Sequence, residues 1–213
     1  MLRIWGRTDS PNVQKVMWCV HELGLPYERI DAGHQYGLVN ETWYLAMNPN
    51  GLIPTIEDDG FVLWESNAIV RYLCARHSRG NLWPTDPREF ADADRWMSWQ
   101  GSTLGPVMRR IVLEIIRTPA EQQDANRVAL LLGSAAGIWT ILDHQMANRD
   151  FIMGPSLSMA DFVFGPHLRL WLTYPIARPE LPHLAAWYVR ISARDFFARS
   201  LRPAANEQPH PAG

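Results

Sequence analysis

The chain has 213 residues, of which 47% are apolar and 20% are charged, and its formal net charge is -2. This balance is typical of a globular protein with a buried core, and it excludes a disordered chain, a collagen-like repeat and a coiled coil. Because the charge is close to zero, there is no basic surplus that would indicate nucleic acid or an anionic lipid surface as a partner.

Two cysteines, Cys19 and Cys74, are too few for a disulfide framework. They form no C-x-x-C pair, and two free thiols are compatible with the reducing cytoplasm. The N-terminus meets charged residues before any apolar stretch that a signal peptide would need, which favours the same compartment. The longest uncharged run without proline, residues 128–142, is shorter than the ~20 residues of a membrane-spanning helix. We therefore predict a buried helix there and no membrane partner.

In chain order, the first 80 residues alternate strand and helix signals. Ser10-Pro11-Asn12 starts a helix that stops at Gly24, between strands at 2–5 and 27–31. After a short helix at 41–47, strands at 53–57 and 61–64 flank a turn, and another helix follows. The order β-α-β, β-β-α predicts a small α/β sandwich.

Strand signals end at a Pro- and Gly-containing stretch, residues 78–87, within which we set a linker at 81–87. The predicted domains are residues 1–80, α/β, and residues 88–213, all-helical. Helical spacing recurs at 89–117, 120–147, 159–172 and 184–193. The tail from about residue 203 is rich in Pro and polar residues, which predicts mobility.

Three positions in the first domain suggest ligand chemistry. Ser10 lies where a helix presents unpaired N–H groups, so its hydroxyl can hold a ligand thiolate or can act as a plain N-cap. If the Ile53–Pro54 bond is cis, the Ile53 backbone can pair with a peptide; a trans bond is the commoner case. Ser66 is predicted to cap the next helix and, with Glu65, can receive the α-amino-acid end of a ligand; a capped helix with an acidic start is the alternative.

Ten tryptophans are more than usual, and Trp96 and Trp99 are three residues apart after the linker. Such a pair is more often core packing than a binding wall, although one that faces the other domain can line an apolar pocket.

Together these segments resemble the cytosolic glutathione transferase superfamily, in particular bacterial members of the serine or threonine type that are theta- or nu-like. The resemblance spans Leu2 to about Leu201. It rests on five segments: Ser10-Pro11-Asn12-Val13-Gln14-Lys15-Val16, Glu22-Leu23-Gly24-Leu25-Pro26-Tyr27, Asn48-Pro49-Asn50-Gly51-Leu52-Ile53-Pro54, Glu65-Ser66-Asn67-Ala68-Ile69-Val70-Arg71-Tyr72-Leu73 and Ser158-Met159-Ala160-Asp161. It implies a thioredoxin-like first domain, a helical second domain, glutathione held mainly by the first, and a homodimer.

By position, the resemblance implies that Ser10 stabilises the glutathione thiolate and that Asn12 contacts the sulfur region. Thr8 is a second hydroxyl that could reach the sulfur, and we rank Ser10 first because it lies at the helix start. Ile53, before the expected cis-Pro54, matches the residue whose backbone pairs with the cysteinyl part.

The γ-glutamyl end matches Glu65 and Ser66. Ser158 and Asp161 match the capping box of the second domain, which has a structural role.

One departure from the family concerns the glycyl carboxylate of glutathione. Many relatives place a cation or a polar side chain before the cis-proline, whereas this chain has Asn50-Gly51-Leu52. Arg7, His34 or another residue would have to replace it, and affinity is the property in doubt.

The leading hypothesis is a detoxifying glutathione transferase that directs the thiolate at a largely apolar electrophile, with glutathione as co-substrate and no metal. Trp96, Trp99, Met108 and Arg109 are the predicted pocket residues. Two alternatives stay open: a glutathione-dependent disulfide or peroxide reductase, and a binding module without turnover. The sequence leaves the electrophile open.

Overall fold

The structure, a computed structural model, describes residues 1–201, so the tail predicted to be mobile lies outside the described residues. Four short strands form one sheet in the order β2-β1-β3-β4. β1 pairs parallel with β2 and antiparallel with β3, which pairs antiparallel with β4. The strands are β1 Leu2–Trp5, β2 Tyr27–Ile30, β3 Thr55–Asp58 and β4 Phe61–Trp64.

Ten α-helices lie within the described residues, and the last eight follow the last strand of the sheet. They are α1 Pro11–Glu22, α2 Thr42–Met47, α3 Ser66–His77, α4 Pro87–Trp99, α5 Gly105–Ile111, α6 Ala125–Gln145, α7 Met159–Phe162, α8 Gly165–Thr173, α9 Pro182–Ser192 and α10 Asp195–Ser200. Two π-helical turns, Gln100–Leu104 and Val112–Ile116, make residues 87–116 one continuous helical segment.

Alternate residues of β1 face opposite sides of the sheet, because side chains alternate along a strand. Ile4 and its register partner Ile56 are buried in the core that includes residues of α1 and α3. Trp5 belongs to a second, smaller core with Tyr44 of α2. The first domain therefore has α1 and α3 on one face of the sheet and α2 on the other, as predicted for an α/β sandwich.

The apolar core continues from α1 into the helical domain. Trp18 of α1 packs edge-on against Phe162 and Phe197, with ring centroids 4.9 and 4.6 Å away. Gly165 allows this approach, since a Cβ built there would lie 2.7 Å from the Trp18 ring. The predicted fold class is thus observed, while the exact boundaries at residues 80 and 88 stay a prediction.

Both hydrogen bonds of the predicted capping box are present at the start of α7. The Asp161 carboxylate accepts the Ser158 N–H at 2.9 Å, the Ile152 N–H at 3.0 Å and the Trp187 indole N–H at 3.1 Å. Burial raises the pKa of Asp161 to about 6, and these hydrogen bonds oppose the shift.

The prediction of a buried helix at residues 128–142 holds for only one face of α6. Leu131, Ala135, Trp139 and Leu142 are buried, whereas Leu130 on the other face is 76% exposed. By length and composition alone α6 could cross a membrane, but 22% of its most apolar window is already buried in the fold. One such helix is weak evidence for a span, because core helices pass the same test.

Candidate functional site

Three segments singled out in the sequence leave the sheet at the same end. Thr55 is paired with both Trp5 and Trp64. Residues 6–10 follow β1, residues 53–54 precede β3, and residues 65–66 follow β4. We call these three segments the site edge. The register alone therefore brings together residues that are up to 60 positions apart in the chain.

Ser10 occupies the N-cap position of α1 with extended backbone angles, but its side chain makes no capping hydrogen bond. The preceding loop is held instead by Gln14, whose side-chain amide donates to the Thr8 carbonyl at 2.7 Å. The Ser10 hydroxyl is thus left beside the first N–H groups of a 12-residue helix, at the positive end of its dipole. This position suits a partner that carries negative charge.

The Ile53–Pro54 peptide bond is cis. The turn before it is fixed through the Leu52 carbonyl, which accepts from the Tyr44 hydroxyl at 2.8 Å and from the Asn48 amide at 2.9 Å. The N–H and C=O of Ile53 make no backbone hydrogen bond to another residue in the range 1–201. A peptide backbone could therefore pair with Ile53 as an added strand does.

The prediction that Ser66 caps α3 is wrong. Glu65 is the N-cap residue and Ser66 is the first residue of the helix. Glu65 adopts φ 71°, a left-handed conformation that is uncommon outside glycine. The Ser66 side chain points across to α1 instead, where its hydroxyl donates to the Asn12 side-chain oxygen at 3.4 Å. This contact brings the first turns of α1 and α3 together.

Sequence reasoning missed a buried lysine beside this contact. Lys15 is 2% exposed, and its ammonium donates to the side-chain oxygens of Asn67 at 3.1 Å and Gln100 at 2.9 Å. Burial lowers the pKa of Lys15 to about 7, and the Glu65 charge opposes this. The one available signal was the absence of an acidic residue three or four positions away on α1, where a surface lysine often has one.

Comparison with known proteins identifies the family to which this arrangement belongs. The family described as "Glutathione S-transferase, N-terminal domain" matches residues 9–76, and "Glutathione S-transferase, C-terminal domain" matches residues 125–190. Glutathione S-transferase GstB of Escherichia coli strain K12 is 36% identical over 196 residues, which cover 91% of this chain and 94% of that protein. The chain belongs to the glutathione S-transferase family.

A solved structure agrees with this membership. The theta class glutathione S-transferase from Xanthomonas axonopodis pv. citri, with glutathione bound, superposes with a TM-score of 0.90. It is 40% identical in sequence, and the match covers 95% of this chain and 98% of that one. The predicted superfamily, fold and enzyme class are confirmed.

The four predicted pocket residues of this glutathione S-transferase differ in accessibility. Trp96 and Met108 lie in the core, Trp99 is half-buried, and Arg109 is exposed. The two indole rings pack edge-on at 5.4 Å, and Trp99 also contacts the Phe164 ring at 6.2 Å. A separate open cavity of about 700 Å³ lies between α6 and the loop before α9, and none of the four lines it.

Within the site edge, the cationic side chain of Arg7 lies close to Ile53. A Cβ built on Gly33 would lie 3.5 Å from the Arg7 Nη1 atom and 3.2 Å from the Ile53 Cδ1 atom. The Arg7 Nε atom is 2.8 Å from a carboxylate oxygen of Asp9. His34, the other candidate, is exposed, and its Nδ1 atom is 2.7 Å from the Gln35 side-chain oxygen.

Metal binding and cysteine chemistry are the two further possibilities in the described part of the chain. Among residues 1–201, no group of three or more His, Cys, Asp or Glu side chains is placed to hold a metal ion. Cys19 and Cys74 are free and buried, with their sulfur atoms 3.6 Å apart. Burial raises the pKa of Cys19 well above its usual value, so its thiol is a poor nucleophile at neutral pH.

Proposed function

We propose that this glutathione S-transferase binds glutathione along the site edge and directs its thiolate at an electrophile. In this arrangement the γ-glutamyl end lies at Glu65 and Ser66, the cysteinyl backbone pairs with Ile53 beside Pro54, and the sulfur lies at Ser10 with Asn12 beside it. The observation that carries the proposal is the strand register, which puts all three segments at one end of the sheet.

The chemistry of each end follows from charge. Glu65 offers a carboxylate to the α-ammonium group, and the Ser66 N–H, at the start of a 12-residue helix, offers a donor to the α-carboxylate. At Ser10 the hydroxyl donates to the sulfur, and the dipole of α1 favours its negative charge. The thiol proton is released to solvent, the sulfur forms a bond to the electrophilic carbon, and the leaving group departs with its electron pair.

Lowering the thiol pKa increases the thiolate fraction at neutral pH, which is a modest gain by itself. The larger gain comes from holding the thiolate against a desolvated electrophile. We place that electrophile on the helical-domain side of the site edge, where Trp99 and Arg109 are the accessible members of the predicted set and Trp96 and Met108 support them from the core.

We assign the glycyl carboxylate to Arg7. Leu52 stands where many relatives have a cation or a polar side chain, and Arg7 lies next to Ile53 across Gly33. Guanidinium is suited to a carboxylate because its donors match both oxygens. His34 stays the alternative.

We further propose a cytoplasmic homodimer that acts in detoxification. The support for the dimer is the exposed, largely apolar face of α6, which also contains Ser134, since exposed apolar surface marks contact sites. The apolar residues of this face are Ala129, Leu130, Gly133, Gly137 and Ile141.

The test of the function is turnover with two classes of substrate, a chlorinated nitroaromatic compound and hydroxyethyl disulfide, each with glutathione. We expect turnover of the first to exceed that of the second. The reverse order would favour the reductase, and no retention on glutathione-agarose together with no thermal shift from added glutathione would favour a module without turnover.

A further inference from the structure

The buried ammonium of Lys15 is the centre of a polar cluster that joins both domains. We define the Lys15 cluster as Lys15 of α1, Asn67 of α3 and Gln100 of the π-helical turn. Besides the two bonds from Lys15, the Asn67 amide donates to the Gln100 side-chain oxygen and to the Met97 carbonyl, both at 2.9 Å. Every polar atom of the Asn67 side chain is thus used to hold it in place.

Two glycines lie next to this cluster. A Cβ built on Gly101 would lie 3.5 Å from the Asn67 amide nitrogen, and one on Gly105 would lie 3.1 Å from the Gln100 carbonyl oxygen. The π-helical turn that begins at Gln100 is a further irregularity of the kind found at functional sites.

The charges around the cluster are few. Glu65 is the acidic group whose charge acts on Lys15. On the side of α8, His167 is buried, and desolvation together with the nearby Lys15 charge lowers its pKa well below the usual value. Within residues 1–201, no carboxylate forms an ion pair with Lys15. A buried ammonium satisfied by amide oxygens is costly, and its retention calls for a role beyond packing.

We propose that Lys15 is a positioning residue for the γ-glutamyl end of glutathione, acting through Asn67. Asn67 directly follows Glu65 and Ser66, so fixing its side chain fixes the first turn of α3. Glu65 needs such support, because a left-handed conformation in a residue other than glycine persists only where its surroundings hold it. The inference rests on the proposed function, since it assigns Glu65 and Ser66 to that end of the ligand.

The experiment compares Lys15→Met with the wild-type protein by titration calorimetry, using S-methylglutathione and two shortened forms. S-methyl-cysteinylglycine lacks the γ-glutamyl group, and S-methyl-γ-glutamylcysteine lacks the glycyl group. We expect the advantage that the γ-glutamyl group confers on affinity to fall about tenfold in Lys15→Met, as for a lost or misplaced charged hydrogen bond. The advantage conferred by the glycyl group should stay unchanged.

Val20→Ala is the matched control, because Val20 is fully buried on the same helix and outside the Lys15 cluster. It should weaken folding without changing either ratio. Asn67→Ala should reproduce the effect of Lys15→Met, and the double variant should be no worse than either single one. Asn67→Ala also serves as the test if Lys15→Met does not fold.

Two results separate the possible failures. If the γ-glutamyl advantage is the same in Lys15→Met, Asn67→Ala and the wild-type protein, the positioning role of Lys15 is overturned while glutathione binding stands. If the wild-type protein binds neither S-methylglutathione nor glutathione, the proposed function itself is overturned, and this inference with it.

Discussion

At the residue scale, the hydroxyl of Ser10 is the group on which turnover should depend most. In Ser10→Ala we expect kcat/KM to fall about 100-fold. This is a typical effect of removing one hydrogen-bond donor to an anion in an active site. The pKa of bound glutathione should rise toward that of the free thiol, whereas the affinity for S-methylglutathione should change little. Thr8→Val is the matched variant. If kcat/KM falls in Thr8→Val and not in Ser10→Ala, the sulfur contact belongs to Thr8 instead.

We expect that Glu65 lowers the stability of the fold but is needed for glutathione binding. Glycine tolerates φ 71°, so Glu65→Gly should leave the free energy of unfolding unchanged or raise it by about 1 kcal/mol. Loss of the carboxylate should weaken glutathione binding at least about tenfold. Asn148→Gly is the control, because Asn148 has φ 63° far along the chain. Stability without any loss of affinity in Glu65→Gly would contradict the assigned contact.

Lys15 should make stability depend on pH. Its pKa is about 7 in the folded protein and near 10.5 in the unfolded chain, so between these values the unfolded chain binds more protons. The free energy of unfolding should therefore rise with pH from 7 to 9, with a slope approaching about 1.4 kcal/mol per pH unit. Urea unfolding at several pH values checks this, and Lys15→Met should lack the rise.

Local patterns were sufficient for part of the site. Ser10 and Ile53 stand beside strong helix and proline signals, so their positions could be predicted from a few neighbours. The cap at Ser66 was mispredicted because the left-handed backbone of Glu65 shifts the helix start by one residue. The Lys15 cluster could not be predicted, because residues 15, 67 and 100 meet only once both domains have packed.

At the element scale, the capping box at the start of α7 is expected to contribute more than an ordinary helix cap. Asp161→Ala would leave the N–H groups of Ile152 and Ser158 buried without a partner, so we expect a loss of about 3 kcal/mol or more. Asp124→Ala removes the exposed N-cap of α6 and should cost about 1 kcal/mol. Equal losses in urea unfolding would contradict the special role of Asp161.

Most elements were predicted because periodicity and turn residues mark them. The exceptions depend on tertiary contacts. Residues 159–172 form two helices, α7 and α8, instead of one. The short helix α10 was missed because it is held by distant partners, with Phe197 against Trp18 and the Arg194 guanidinium 2.6 Å from both carboxylate oxygens of Glu22.

At the scale of the whole molecule, the exposed face of α6 should hold two copies together. Leu130→Glu puts a charge on this face in place of its most exposed large apolar side chain, so we expect it to produce a monomer. Val189→Glu, on α9, is the matched control because Val189 is 71% exposed and lies outside the face. Sedimentation velocity distinguishes the monomer from the dimer. A dimer that survives Leu130→Glu would place the interface elsewhere.

The central claim is that the glutathione sulfur lies at the start of α1, and a crystal structure of the complex with glutathione tests it most directly. We predict the sulfur within hydrogen-bond distance of the Ser10 hydroxyl, the cysteinyl backbone paired with Ile53 and the γ-glutamyl group at Glu65 and Ser66. A sulfur atom bound away from Ser10, or a tripeptide lying outside the site edge, would contradict the account.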